Sequence, residues 1–95
     1  MKKVVFADPA RKALIAQLKY IRQRNPNAAR RIKDEVKQAT LRLSESPHSG
    51  RPLSEFPHAQ YREVIVRPLR LFYRLEDDVV LIVAVWHTSQ SADEP

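Results

Sequence analysis

Six side chains in the second half of the chain are of the types that grip an oxyanion or move a proton: Arg51, Arg62, Glu63, Arg70, Arg74 and His87. Arg51 follows the only glycine, Gly50. An arginine fork takes phosphate or carboxylate through two parallel hydrogen bonds, and a histidine of ordinary pKa, about 6.5, exchanges a proton near neutrality. Brought to one edge of a sheet, this set could handle an RNA backbone. The same residues serve equally well as structure: an Arg62–Glu63–Arg74 network would tie strands together, with His87 simply closing the last one.

Other chemistries lack their residues. A phosphate-cradling loop needs several glycines so that backbone amides can approach the anion, and this chain has one. The absence of cysteine removes disulfides, thiolate metal sites and a thiol nucleophile together. His48, His58 and His87 lack the spacing and the acidic companions of a metal site. Ser/His/Asp catalysis would need a nucleophile elbow or a glycine-rich oxyanion loop, and neither is present. No cofactor and no metal are therefore expected.

Charge is uneven. The net value is +6, yet residues 1–50 carry twelve Lys/Arg against four Asp/Glu, whereas 51–95 carry five against seven. Between Asp8 and Asp34 there is no acid, and Arg11, Lys12, Lys19, Arg22, Arg24, Arg30, Arg31 and Lys33 fill that stretch. Such a surface favours an anionic partner, or else is the solvated side of amphipathic helices. Among these helical cations the only aromatic is Tyr20, which argues against a base-stacking platform. No apolar run approaches the roughly 20 residues that cross a bilayer, and no signal peptide is seen, so the expected location is the cytoplasm.

With 95 residues there is room for one domain. Val4-Val5-Phe6 is a short strand stopped by Asp8-Pro9, where Asp8 is expected to cap a helix and Pro9 suits its first turn. Ala10, Leu14, Leu18 and Ile21 then recur at helical spacing, with Ile15 beside the stripe. Asn25-Pro26 repeats the punctuation and starts a second helix, whose seam is Ala29, Ile32, Val36, Ala39 and Leu43. Residues 46–60, rich in turn formers, read as a loop. Tyr61–Val66, Leu69–Glu76 and Val79–Thr88 read as an antiparallel meander with turns at Arg67-Pro68 and Asp77-Asp78. Alternation puts Leu69, Leu71, Tyr73 and Leu75 on one face of the middle strand and Arg70, Phe72, Arg74 and Glu76 on the other. The last strand is apolar on both faces, as an interior strand should be. One α+β domain over 1–88 and a frayed polar tail over 89–95 are expected.

In order and spacing, the pieces resemble the RelE/ParE superfamily of toxin–antitoxin toxins. They are Val5-Phe6, Ile21 to Arg30 (IRQRNPNAAR), Leu43 to Arg51 (LSESPHSGR), Tyr61 to Val66, Leu69 to Arg74 and Val79 to His87. Within the superfamily the chain is most similar to ParE. The resemblance implies a β-α-α-β-β-β fold, a helical hairpin packed on a mainly antiparallel sheet. It also implies a small acidic or amphipathic ParD-like antitoxin whose extended tail wraps the basic surface. Arg51, Arg62, Arg70, Arg74 and His87 are then candidates to bind antitoxin or target. Two activities divide the superfamily. ParE-like members inhibit DNA gyrase, trapping it on cleaved DNA by protein–protein contact, and are not enzymes on RNA. RelE-like members cleave messenger RNA on the ribosome, a role in which Arg70 would clamp the phosphate and His87 would act as acid or base. Here Thr88 follows the histidine where the nucleases often have a phenol, and the 52–60 loop has no lysine, Glu55 being its only charged residue. Gly50-Arg51, Arg62-Glu63 and Val85-Trp86-His87 are closer to the gyrase-poisoning branch, which is the expected activity; the ribosome-dependent endonuclease is the alternative. No motif assigns the target contact; the exposed face of residues 11–33 and the tail after His87 are candidates, and each serves equally well as ordinary solvated surface.

Overall fold

The computed structural model describes residues 1–53 and 60–89. In chain order the elements are β1 (Lys3–Phe6), α1 (Asp8–Arg24), α2 (Pro26–Glu45), β2 (Arg51–Pro52), β3 (Tyr61–Val66), β4 (Leu69–Glu76) and β5 (Val79–His87). They form one sheet of order β1-β5-β4-β3-β2, with β1 parallel to β5 and the other pairs antiparallel. The α+β architecture expected from the residue pattern is the one observed.

Each helix presents the stripe its periodicity dictates. All five seam residues of α2, Ala29, Ile32, Val36, Ala39 and Leu43, are buried. Ala10 of α1 is buried, while Leu14, Leu18 and Ile21 pack against the core from its margin. Asn25 caps α2 as expected, its side-chain oxygen accepting from the Ala28 amide at 3.1 Å. Asp8 does not cap α1. The Ala7 amide still donates to the sheet, reaching the Ile82 carbonyl at 2.9 Å, while its carbonyl accepts the first helical bond from Arg11 at 2.9 Å. The helix therefore begins one residue earlier than expected, and Asp8 lies in its first turn paired with Arg11 at 3.1 Å.

The expected 46–60 loop contains an element. Arg51 and Pro52 pair with Glu63 and Arg62 as a short edge strand, where a proline, lacking an N–H, is tolerated. Residues 54–59, including Glu55, Phe56 and His58, and the tail from residue 90 lie outside the described residues.

The β4/β5 pairing contains a bulge. Phe72 opposes Ala84 and Tyr73 opposes Ile82, so Val83 has no partner. The extra residue shifts the alternation of β5 halfway along. Val80, Ile82 and Val85 are all buried on the helix side, whereas unbroken alternation would send Val85 to the opposite face. On the helix side lie Leu69, Leu71, Tyr73, Val80 and Ile82, each fully buried, against Ile32, Val36 and Leu43. The expected interior position of β5 is correct, with β1 on one side and β4 on the other.

Candidate functional site

The sheet face turned away from the helices carries a buried ion-paired cluster. Register places Glu63 opposite Phe72 on one side and Arg51 on the other, with Arg70 one pair along on the same face. Glu63, 4% exposed, accepts from Arg70 Nε at 3.0 Å through Oε1 and from Arg51 Nε at 3.1 Å through Oε2. Arg70 is itself buried, with its guanidinium carbon 4.8 Å from the centre of the Phe72 ring. The Phe72 and Trp86 rings meet edge to face at 4.9 Å. The cluster is thus an acid held between two arginines over an aromatic platform.

The expected Arg62–Glu63–Arg74 network does not form. Consecutive strand residues point to opposite faces, so Arg62 lies on the helix side with Tyr73 while Glu63 points away from it. Arg62 instead donates through one nitrogen to the Gly50 carbonyl at 2.8 Å and the His48 carbonyl at 3.4 Å. Arg74 shares a face with Glu63 but stands opposite Tyr61, donates to the Tyr61 hydroxyl at 3.4 Å and pairs with Glu76. These contacts, the phenol first and then Glu76, hold Arg74 above its ordinary pKa.

Arg70 and His87 are not brought together. Trp86 is the residue opposite Arg70, and His87 is opposite Leu69, so the two side chains leave from opposite faces. His87 lies beside α1 with Ala16, Gln17 and Tyr20. Its Nδ1 accepts from the Ser89 amide at 3.1 Å and lies 2.8 Å from the Ser89 hydroxyl. That contact leaves the ring proton of the neutral form on Nε2. The single cationic edge expected from the sequence is therefore divided: Arg51, Arg70 and Arg74 on one face, Arg62 and His87 on the other. Among the described residues no cluster of His, Asp or Glu could hold a metal ion, and no helix is long and apolar enough to cross a membrane.

Two features went unread in the sequence. Tyr73, fully buried, donates its hydroxyl to the Pro47 carbonyl at 2.8 Å and accepts from the Gly50 amide at 2.9 Å, pinning the segment after α2. Burial pushes this phenol above its ordinary pKa, against smaller opposing effects of the Gly50 hydrogen bond and Arg62. Glycine is required at position 50 by space alone, because a Cβ would run into the Tyr73 ring edge and sit 2.8 Å from the Glu63 carbonyl. The second feature is a groove of about 460 Å³ between α1 and α2. Ile15, Leu18 and Ala29 give it apolar walls, and Lys19, Arg30 and Lys33 stand among its lining cations. Ile15, 56% exposed, is the signal that could have found it, an apolar residue one step outside the buried stripe.

The family model described as the ParE toxin of the type II toxin–antitoxin system parDE matches residues 4–92. The chain belongs to the ParE toxin family. It is accordingly a toxin-family protein of the type II toxin–antitoxin class. Among curated protein sequences none matches. Of solved structures, a chain of the "Chromosomal ParDE TA system from P. aeruginosa" is similar at 15% identity, with a TM-score of 0.75, over 92% of this chain and 96% of that one. At that identity the ParDE structure speaks for the fold, which this chain shares across nearly its whole length.

Proposed function

We propose that this ParE-family chain arrests growth by binding DNA gyrase through protein–protein contact, without RNA chemistry, and that a ParD-like antitoxin neutralises it. The observation that carries the reading is the separation of Arg70 from His87. Cleavage by a ribose 2′-hydroxyl needs charge stabilisation at the phosphate and proton transfer at both oxygens in one place. An arginine whose Nε is committed to buried Glu63 on one face and a histidine beside α1 on the other do not supply that place. Family membership points the same way, towards ParE and away from the nucleases.

The antitoxin is read from charge and shape. The groove between α1 and α2 has an apolar floor and a cationic rim, so it suits an amphipathic segment with acids along its flanks. A disordered tail that folds into the groove would neutralise the basic half of the chain as it binds.

The test uses purified protein with gyrase and relaxed plasmid, and separately with programmed ribosomes. Lost supercoiling or trapped cleaved DNA, reversed by the antitoxin and unaccompanied by messenger RNA cuts, is the expected result. Ribosomal cuts abolished by Arg70→Ala or His87→Ala would transfer the chain to the endonuclease alternative, and inactivity in both assays would refute toxicity.

A further inference from the structure

At the start of β3, where β4 runs past its partner, the sheet ends in a notch of about 270 Å³ lined by His48, Pro52, Tyr61, Arg62, Arg74 and Leu75 among others. We propose that this notch, which lies at the end of the sheet and is lined by Arg62 from the helix side and by Arg74 from the opposite face, binds a phosphate monoester between the two arginines, with the His48 imidazole and the Tyr61 hydroxyl as further donors.

The donors are fixed in place and their charge is left largely unneutralised. Arg62 is oriented by the carbonyls of His48 and Gly50, which are neutral acceptors and leave its full positive charge facing the notch. Only one of its nitrogens is used in these bonds, which leaves the rest of the fork for an anion. Arg74 is placed by the Tyr61 hydroxyl, and its Nε is shielded from solvent with no hydrogen-bond partner. Among the described residues the acid beside these cations is Glu76, paired with Arg74 and about half exposed, so Arg62 and Arg74 together outweigh it by one positive charge.

The number and spread of donors favour a tetrahedral dianion over a carboxylate. Four groups come from the segment after α2, from β3 and from β4, whereas a carboxylate offers only two oxygens in one plane. Size agrees. Drug-sized ligands occupy pockets of about 300–1,000 Å³, so this notch is small, yet at roughly 30 Å³ per water it exceeds a bare phosphate. The spare volume next to the Tyr61 ring suits a compact organic group such as a nucleoside. Neither Arg70 nor His87 lines this notch, and the proposal does not depend on gyrase as target.

The experiment is a titration of the full chain, followed by NMR at constant ionic strength, with inorganic phosphate, adenosine monophosphate, adenosine, sulfate and acetate. Phosphate and the nucleotide should give saturable shifts at Tyr61, Arg62 and Arg74, with acetate at least about tenfold weaker; tighter binding of the nucleotide than of phosphate identifies the organic ester as the source. Arg74→Gln should weaken binding about tenfold or more, and Lys37→Gln, an exposed cation that does not line the notch, should leave it unchanged. Arg62→Gln serves as a second variant if its fold is intact by circular dichroism. Absence of saturation up to about 20 mM phosphate, equal shifts with acetate, or undiminished binding by Arg74→Gln would each overturn the proposal.

Discussion

Arg70 sits where a loss-of-function screen would find it, and the geometry predicts why it would be found for the wrong reason. Its Nε bonds Glu63, whose side chain is 3% exposed; the other partner of that carboxylate, Arg51, is 66% exposed. Replacing Arg70 by methionine strands a buried carboxylate with one solvated arginine, whose attraction is worth about 0–1 kcal/mol. Breaking such a buried pair from one side costs about 3–5 kcal/mol. A chain of 95 residues has a total stability of about 5–14 kcal/mol at roughly 0.05–0.15 kcal/mol per residue. The single substitution therefore removes a large share of the folding free energy and lowers Tm by roughly 4–8 °C per kcal/mol. Removing both charges together, Glu63→Leu with Arg70→Met, should recover most of the loss, since an apolar pair of similar volume is neutral or better in many such sites. Urea unfolding of the wild type, both single variants and the double variant measures the coupling, expected at about 2–3 kcal/mol. Arg31→Met serves as control, because the Arg31–Glu35 pair is exposed on both sides and is worth about 0.3–0.5 kcal/mol. An Arg70→Met cost below about 1 kcal/mol, or a double variant equal to the sum of the singles, would refute the reasoning. If the refolded double variant still inhibits gyrase, Arg70 is a structural residue, and growth rescue by Arg70→Ala reports unfolding.

Tyr73→Phe should cost about 1–3 kcal/mol, because the Gly50 amide and the Pro47 carbonyl both lose their partner, and Gly50→Ala should cost a similar amount by overpacking; thermal unfolding checks both. The Tyr73 phenol is held above 10.0 in the folded state, so above about pH 10 the unfolded chain binds fewer protons than the folded one. Its contribution is fully present below that pH and is lost as the pH rises through the folded value, a component of the alkaline stability curve that Tyr73→Phe should abolish. Charge reversal at Lys19 and Arg30 should slow association with an acidic antitoxin and flatten its salt dependence, as read by surface binding kinetics, while leaving Tm nearly unchanged. Asn25→Ala should cost about 1 kcal/mol through loss of the α2 cap, measurable by denaturant titration.

The fold was legible because its elements announce themselves locally. The α2 seam and the Asn25-Pro26 junction are statements about helical period and capping, and each survives in three dimensions without help from the rest of the chain. The elements that were missed depend on pairing. Arg51–Pro52 is a strand only because β3 lies beside it, and two residues carry no period. The start of α1 moved because the Ala7 amide is claimed by Ile82, seventy-five residues away, a competition invisible to the local preference of Asp8 for capping. Alternation groups Tyr73 with Leu69, Leu71 and Leu75, but its hydroxyl partners, Pro47 and Gly50, can be named only once α2 and β4 are docked.

The candidate residues part for two reasons: Arg62 and Glu63, consecutive in β3, face opposite ways, and a bulge in β5 separates His87 from Arg70 and Arg74. Read with unbroken alternation from Val79, β5 would place His87 on the same face as Arg70 and Arg74, and these three would share an edge suited to RNA. Val83 is the extra residue that prevents this, and everything after it changes sides: Val85 turns inward, Trp86 turns out to meet Phe72, and His87 moves beside α1. A bulge can be seen in a sequence when a polar residue breaks the alternation. From Val79 to Val85 every side chain is apolar, so a shift by one exchanges like for like and leaves no trace. The separation of Arg70 from His87, on which the proposed activity rests, is therefore set by one unpaired valine. Deleting Val83 tests this directly. If the shortened chain folds, regular β4/β5 pairing should form with every present partner kept, Ala84 opposite Phe72 and His87 opposite Leu69, so that His87 stays beside Tyr20, which amide hydrogen exchange and cross-strand NMR contacts would reveal. A folded deletion variant whose His87 crosses to contact Arg70 would show that Val83 is not the extra residue of this strand and would refute the reading.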